Sequence, residues 1–391
     1  MIDVPEQPVS APGASVPADS VAPLREIRKA FEAARDEIRK VIVGQDDCID
    51  CLLVAALSGG HVLLTGVPGL GRTLLVKAVG RVLGLTCHRI QFTPDLLPTD
   101  ITGSEVLEQT DAQGRRFRFF KGPVFCNLLL ADEINRSPAR TQAALLEAMH
   151  EHQVTVGGRT FPLPDPFLVV ATKNSMETEG VWRMPEAQID RFMLMVELPY
   201  PDEEGEVELL RRTTGADARQ LATVLDPATL VRMRQLALRV PVVPAVKRFA
   251  VDIVRASRPG AGAPADLEPV IRLGASPRAA QCLLRGAKVL ALLQDRTHVT
   301  REDVRRMAVP VLAHRLMLDF RAVSRGVKTR EVVARIVAEA DAKRLPGDLY
   351  RYNRRHVLRR PQAPDAREAD DGQGRAPAAG RGATTEKRGG S

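Results

Sequence analysis

The sequence predicts an α/β domain built on a parallel sheet and followed by a small all-helical domain. Three observations carry this expectation. Between His61 and Leu198 short apolar runs alternate with stretches of helical period, a glycine-rich turn (Gly66–Thr73) joins the first run to a helix, and after Pro201 only helical patterns remain. Strands separated by helices need crossover connections, which lay helices over both faces of a parallel sheet.

The 391 residues, 44% hydrophobic and 27% charged, have the balance of a globular chain, which excludes a collagen-like fibre, a disulfide miniprotein and wholesale disorder. At roughly 100–200 residues per domain, the length predicts two or three domains. No stretch approaches the roughly 18 consecutive apolar residues of a membrane span, and the first twenty residues lack the basic start and apolar run of a secretory signal. The expected location is therefore cytoplasmic. The formal charge of +8 belongs mainly to the tail: from Lys343 onward twelve Lys or Arg face six Asp or Glu, and the rest of the chain is close to neutral. Residues 344–391 read as a basic, mostly disordered tail, able to meet an acidic partner, RNA or lipid headgroups. Residues 1–23, with five prolines, read as a disordered arm.

The α/β domain is expected over 24–200. Leu24 to Val41 has a helical period, with Leu24, Ile27, Phe31, Ala34 and Ile38 on one face, and a second helix runs from beyond Gln45 to about Ser58. His61–Thr65 reads as a buried strand, Thr73–Leu83 as a helix, Cys87–Phe92 as extended and Asn127–Ala131 as an apolar strand. A helix over Pro138–Glu151 is expected to take Ser137 as its N-cap and Pro138 as its first residue. Phe167–Thr172 and Phe192–Leu198 complete the strands. Two polar hairpins interrupt the pattern: Glu105–Glu108 with Arg116–Phe120 around Asp111–Gly114, and Gln153–Val156 with Thr160–Leu163 around Gly157–Arg159. The sheet needs neither, so both are candidate working surfaces. The helical domain, 201–343, contains Ser276–Asp295 and Thr300–His314, the second with a Thr300/Asp303 capping box.

Five scattered cysteines in a chain without an export signal argue against structural disulfides. Cys48 and Cys51 form a CxxC, but no second CxxC or paired His supplies the other two ligands of a structural zinc, so they read as helix positions. His150 and His152 lie outside any HExxH pattern and receive no metal role.

The chemistry-bearing residues concentrate at strand ends. Gly66-Val67-Pro68-Gly69-Leu70-Gly71-Arg72-Thr73, between a strand and a helix, exposes consecutive N–H groups where the helix dipole favours phosphate, and it fits GxxxxGK[ST] except that Arg72 replaces Lys. The apolar run Leu128–Ala131 ends in Asp132-Glu133, on the same sheet edge as that turn. Asp132 and the Thr73 hydroxyl can anchor a magnesium ion, and Glu133 can orient an attacking water. Asn174 can hydrogen-bond the same water, and Arg191 can stabilise transition-state charge on a neighbouring subunit's nucleotide. Arg278 sits in the first turn of a helix, where a cation opposes the dipole unless an anion compensates it, so it is read as a second phosphate contact.

Together these residues resemble the AAA+ ATPases, and in detail their MoxR family. The resemblance spans about residues 24–340 and includes the blocks IQFTPDLLPTDITG, GPVFCNLLLADEINRSP, MPEAQIDRF, GASPRA and VLAHRLML. It implies a core sheet of strand order 5-1-4-3-2, a helical lid and a ring, commonly hexameric, with ATP and Mg2+ at subunit boundaries. It further implies that Gly66–Thr73 are Walker A, Asp132 and Glu133 Walker B, Asn174 sensor 1, Arg191 the arginine finger and Arg278 sensor 2. The clients implied are proteins, and von Willebrand factor A domains are the implied partners.

Arg72 departs from the family's lysine. A guanidinium is broad and planar where lysine is a compact point charge, so the exchange is not conservative at a phosphate. The chain also uses 46 Arg against 10 Lys, so a general preference for Arg explains the residue equally well. Two function classes follow, a client-remodelling ATPase and a nucleotide-binding scaffold without appreciable hydrolysis. A nucleic-acid motor is the third class, disfavoured because Gln153–Leu163 carries only Arg159 as a basic residue.

Overall fold

The computed structural model describes residues 21–110, 114–174, 181–182, 184–214, 220–260 and 262–342. The expected basic tail lies outside them, as does the Pro-rich arm up to residue 20. Helix α1 (Val21–Arg39) starts three residues before Leu24 and buries Ile27, Phe31, Ala34 and Ile38 of the predicted stripe, the Leu24 side chain lying outside what the structure describes. α2 (Asp46–Ser58) ends at Gly59, whose left-handed backbone caps it.

The strands and helices then alternate: β1 (Val62–Gly66), α3 (Arg72–Val82), β2 (Cys87–Gln91), α4 (Pro98–Thr102), the hairpin β3 (Gly103–Thr110) and β4 (Gly114–Lys121), and β5 (Leu128–Asp132). A single 3-10 turn (Ile134–Arg136) precedes α5 (Ala139–Glu151), the hairpin β6 (Gln153–Val156) and β7 (Arg159–Pro162), β8 (Leu168–Asn174), α6 (Glu186–Ile189) and β9 (Leu194–Glu197). The main sheet runs β2-β5-β8-β1-β9, every pair parallel. Numbered as core strands 1 to 5, this is the order 5-1-4-3-2.

Alternation along each strand feeds two apolar layers. Val62, Leu64, Leu128, Leu130, Leu168 and Val170 pack with α1, α2 and α3, while Leu63, Leu129, Ala131, Val169 and Ala171 pack towards α4 and α5. Both faces are covered, which is why these strands read as continuous apolar runs.

Two local expectations need correction. α5 begins at Ala139, and Pro138, with ψ 154, is its N-cap: the Pro138 carbonyl accepts the N–H groups of Thr141 and Gln142. Ser137 therefore lies outside the helix, and its buried hydroxyl has no partner among the described residues. In the second hairpin Arg159 belongs to the strand, paired with Val156, because Gly157 and Gly158 suffice for the turn, both at positive φ.

After β9 come α7 (Glu203–Thr213), α8 (Pro227–Arg239), α9 (Pro244–Ala256), β10 (Ile271–Leu273), α10 (Pro277–Leu293), α11 (Arg301–Leu312), β11 (Met317–Leu318), α12 (Phe320–Ser324) and α13 (Thr329–Ala342). The region is helical but not wholly so: β10 and β11 form a short antiparallel pair, too brief to leave a period in the sequence. Helices α8, α9, α10, α11 and α13 share one apolar cluster with α1–α3. The capping box is present, with Asp303 accepting the Thr300 N–H at 2.8 Å.

Candidate functional site

β1 ends in the glycine turn, and α3 starts at Arg72 directly behind it. Gly66, Gly69 and Gly71 have φ of 140°, 89° and 73°, values that side-chain-bearing residues rarely adopt. A Cβ at Gly69 or Gly71 would meet no heavy atom within 4 Å, so the turn presents open backbone. Gly71 caps α3, its carbonyl accepting the Leu75 N–H at 2.9 Å, which leaves the first N–H groups of α3 without helical partners. From α2, Gln45 Nε2 donates to the Leu70 carbonyl at 3.1 Å and ties the turn to the preceding helix, while its buried Oε1 has no partner among the described residues.

The fit to a nucleotide triphosphate and its magnesium rests on these features. Open N–H groups at a helix start suit phosphate oxygens, and the partly buried Thr73 hydroxyl stands at the second position of α3.

Arg72, the first residue of α3, is engaged with the neighbouring strand β8. It is buried, and Nη1 donates to the Lys173 carbonyl of β8 at 3.4 Å, a long bond.

Asp132 and Glu133 stand at the end of β5. Asp132 Oδ1 accepts the Thr172 hydroxyl at 2.6 Å, and Oδ2 accepts Arg89 Nε and Nη2 at 3.1 and 2.8 Å. The same Thr172 oxygen accepts the Glu133 N–H at 2.8 Å. Glu133 sits at φ 56, ψ 49, a strained left-handed position for a residue with a side chain. Its Oε2 accepts Gln91 Nε2 and Arg136 Nε, each at 3.0 Å. Both acids are thus held by side chains that also fix their direction. Asn174 pairs with Gly66 in the sheet register, at the root of the glycine turn; its side chain lies outside the described residues.

The opposite edge of the sheet carries the two remaining predicted cations. Arg191 precedes β9, and its Nη1 donates to the Leu146 carbonyl of α5 at 2.5 Å. Arg191, Arg278, Arg285, His150 and His152 line one cavity of about 330 Å³ beside Gly60, the residue before His61 and β1. β1 spans four residue steps, about 13 Å, between this cavity and the glycine turn. The predicted site residues therefore fall into two groups, Gly66–Thr73 with Asp132, Glu133 and Asn174 on one edge, Arg191 with Arg278 on the other. Ser276 caps α10 by accepting the Arg278 N–H at 3.2 Å, so the first-turn position expected for Arg278 is the one observed.

Sequence reasoning passed over Thr172, Arg89, Gln91 and Gln45. Thr172 is fully buried in an apolar run, where a hydroxyl needs a partner, and that was the available signal. Among the described residues no cluster of His, Cys, Asp and Glu is arranged to hold a metal by itself, and no helix is long and apolar enough to cross a membrane. Cys48 and Cys51 lie on α2 as free thiols, each pushed up to about 12 by burial.

Comparison with known proteins places this geometry. The family model described as "ATPase family associated with various cellular activities (AAA)" matches residues 61–194, and the AAA lid domain matches 265–336. Chaperone MoxR1 of Mycobacterium tuberculosis is 44% identical over 309 residues, 78% of this chain and 81% of that protein. Protein MoxR of Paracoccus denitrificans is 33% identical, covering 74% of this chain and 88% of its own. A crystal structure of a candidate ATPase from Cytophaga hutchinsonii superposes with a TM-score of 0.76 at 40% identity, over 82% of this chain and 97% of that one.

Proposed function

The chain belongs to the MoxR family of AAA+ ATPases, and on that premise we propose that it binds Mg-ATP between subunits of a ring and couples hydrolysis to chaperone-like remodelling of protein clients. The observation that carries the reading is the division of the site between two sheet edges. The glycine turn, Thr73, Asp132 and Glu133 form a nucleotide half-site on one edge, and Arg191 with Arg278 stands about a strand's length away on the other. In this reading neither arginine serves the turn of its own chain. A head-to-tail ring brings the second edge of one copy to the first edge of the next and completes the site.

In this reading the N–H groups at the start of α3 bind the triphosphate, Gln45 Oε1 accepts from the ligand, and Thr73 and Asp132 hold the metal. Bound magnesium supplies charge neutralisation between phosphate oxygens. Glu133, fixed by Thr172, Gln91 and Arg136, orients the attacking water, and Asn174 supports it. Arg191 and Arg278 stabilise charge on the neighbour's phosphates. The hairpins β3–β4 and β6–β7 present the client surface, where Val106, Leu107, Phe117 and Phe120 are exposed. A von Willebrand factor A domain partner and a hexameric count accompany the family reading.

One observation supports a second reading. Arg72 is buried and its guanidinium is engaged with the Lys173 carbonyl of β8, which suits a scaffold that binds nucleotide and assembles with little turnover. Solution mass in ATP and steady-state hydrolysis, measured on the same preparation, separate the two. A ring with turnover supports the ATPase, a ring without it the scaffold, and a chain that stays monomeric and binds no ATP overturns both.

A further inference from the structure

Arg315 lies three residues beyond α11, its side chain 1% exposed. Its Nε donates to Asp190 Oδ1 at 2.7 Å, Nη2 donates to the carbonyls of Asp190 at 3.1 Å and Phe192 at 2.6 Å, and Nη1 donates to the carbonyls of Met193 at 3.2 Å and Val311. His314 Nε2 adds a second bond to the Phe192 carbonyl at 3.0 Å. Asp190 Oδ2 in turn accepts the Ser276 hydroxyl at 2.9 Å, and that oxygen caps α10 two residues before Arg278. One guanidinium–carboxylate pair, its arginine buried and its aspartate 21% exposed, thus grips the residues on both sides of Arg191 and, through a single hydroxyl, the helix start that carries Arg278.

A buried ion pair is a poor way to gain stability, because desolvation offsets its attraction, but it specifies position when every donor is satisfied. Here the guanidinium meets carbonyls of a four-residue stretch with no side-chain freedom of their own. Lysine has one ammonium and could not hold these acceptors together. We propose that Arg315 and Asp190 form a clasp that fixes Arg191 and Arg278 as one unit, so that both cations reach the neighbouring subunit's nucleotide together and its state is passed to α10 and α11. The inference rests on the reading in which Arg191 acts across the subunit boundary. Arg315 is a positioning residue in it, touching no nucleotide itself.

The test uses full-length chains in mixed rings. Arg315→Lys is expected to keep ATP affinity within about threefold while turnover falls tenfold or more. Mixing it with Glu133→Gln should restore turnover to the level given by an Arg191→Ala and Glu133→Gln mixture, because each ring then holds boundaries with an intact Glu133 on one side and an intact clasp on the other. Damage confined to the variant's own site would not be rescued this way. Ser276→Gly, which cuts the link from Asp190 to α10 together with the hydroxyl's bond to the Arg278 N–H but leaves a residue still favoured at an N-cap, should be rescued likewise, and it decides the matter if Arg315→Lys does not fold. Rescue of Arg191→Ala without rescue of either clasp variant overturns the clasp alone. Failure of the Arg191→Ala mixture overturns the shared site, and the clasp with it.

Discussion

Thr172 donates its hydroxyl to Asp132 at 2.6 Å and, with the same oxygen, accepts the backbone N–H of Glu133 at 2.8 Å. One buried oxygen therefore sets the direction of the Asp132 carboxylate, proposed to hold the metal, and holds the strained backbone of Glu133, proposed to orient the water. Thr172→Val keeps the shape and removes both bonds, leaving a buried N–H unsatisfied, a loss of about 1–3 kcal/mol in stability. Turnover should fall by roughly tenfold or more, while ATP affinity, set by the glycine turn, changes little. Thr172→Ser should recover most of the rate. Equal rates for Val and wild type would show that Asp132 and Glu133 are positioned without Thr172.

Glu133→Gln keeps the shape and the contacts to Gln91 and Arg136 but loses the charge that polarises water. Hydrolysis should drop by about 10² to 10⁴ with ATP still bound, so the ring persists in ATP. Mass measured in ATP over hours checks this. A variant ring that dissociates at the wild-type rate would remove Glu133 from the reaction.

Arg191→Ala should leave ATP affinity nearly intact and reduce turnover by about 10³, the scale of an arginine supplied in trans. It removes one bond to the Leu146 carbonyl and little packing, so the melting temperature should move by only a few degrees. A large loss of stability with unchanged turnover would make Arg191 a structural residue.

His61 gives the fold a pH dependence. Its Nδ1 accepts the Val169 N–H at 3.0 Å, so Nε2 carries the proton and donates to the Met149 carbonyl at 3.1 Å. Burial holds its pKa down at about 4 against an ordinary 6.5. The unfolded chain then takes up a proton between pH 6.5 and 4 that the folded chain refuses. Stability from this residue is complete above pH 6.5 and is lost as pH falls towards 4, on the order of 3 kcal/mol in total. Burial, with Arg315 beside it, lowers His314 in the same direction. Urea unfolding at pH 7.5 and pH 5 should show a smaller difference for His61→Gln than for wild type. Identical differences would mean that another group carries the dependence.

The sheet and the glycine turn are legible in the sequence because their signals are local. The central strands β1, β5 and β8, buried on both faces, read as apolar runs, and the turn's chemistry lies in eight consecutive residues. Arg89, Thr172 and Arg315 are not legible, because each acts on a partner far along the chain. Arg89 meets Asp132 across 43 residues only because β2 pairs with β5 in a register that sets Gln91 opposite Asp132. Arg315 meets Asp190 across 125 residues through the packing of α11 on the start of β9. Arg191, directly before the predicted strand Phe192–Leu198, is set at the starting edge of a parallel sheet by its neighbours in sequence, whereas the position of Arg278 beside it is a property of the folded chain.

Arg72 is the residue through which the proposed turnover is best tested. The guanidinium is held by a long bond to the Lys173 carbonyl at 3.4 Å, a weak restraint on a residue at the first position of α3. Swinging towards phosphate, it would bring a planar group where a compact charge fits between phosphate oxygens, and its Lys173 contact would be lost. Lysine pays neither cost, so Arg72→Lys should raise turnover by about tenfold, equivalent to roughly 1.4 kcal/mol at the transition state. Arg72→Ala should weaken ATP binding and remove turnover altogether. The decisive comparison is between Arg72→Lys and wild type at saturating ATP. Equal or slower turnover in the lysine variant would mean that Lys173 and the surrounding backbone are fitted to a guanidinium, and that arginine at this position is the working residue of the site.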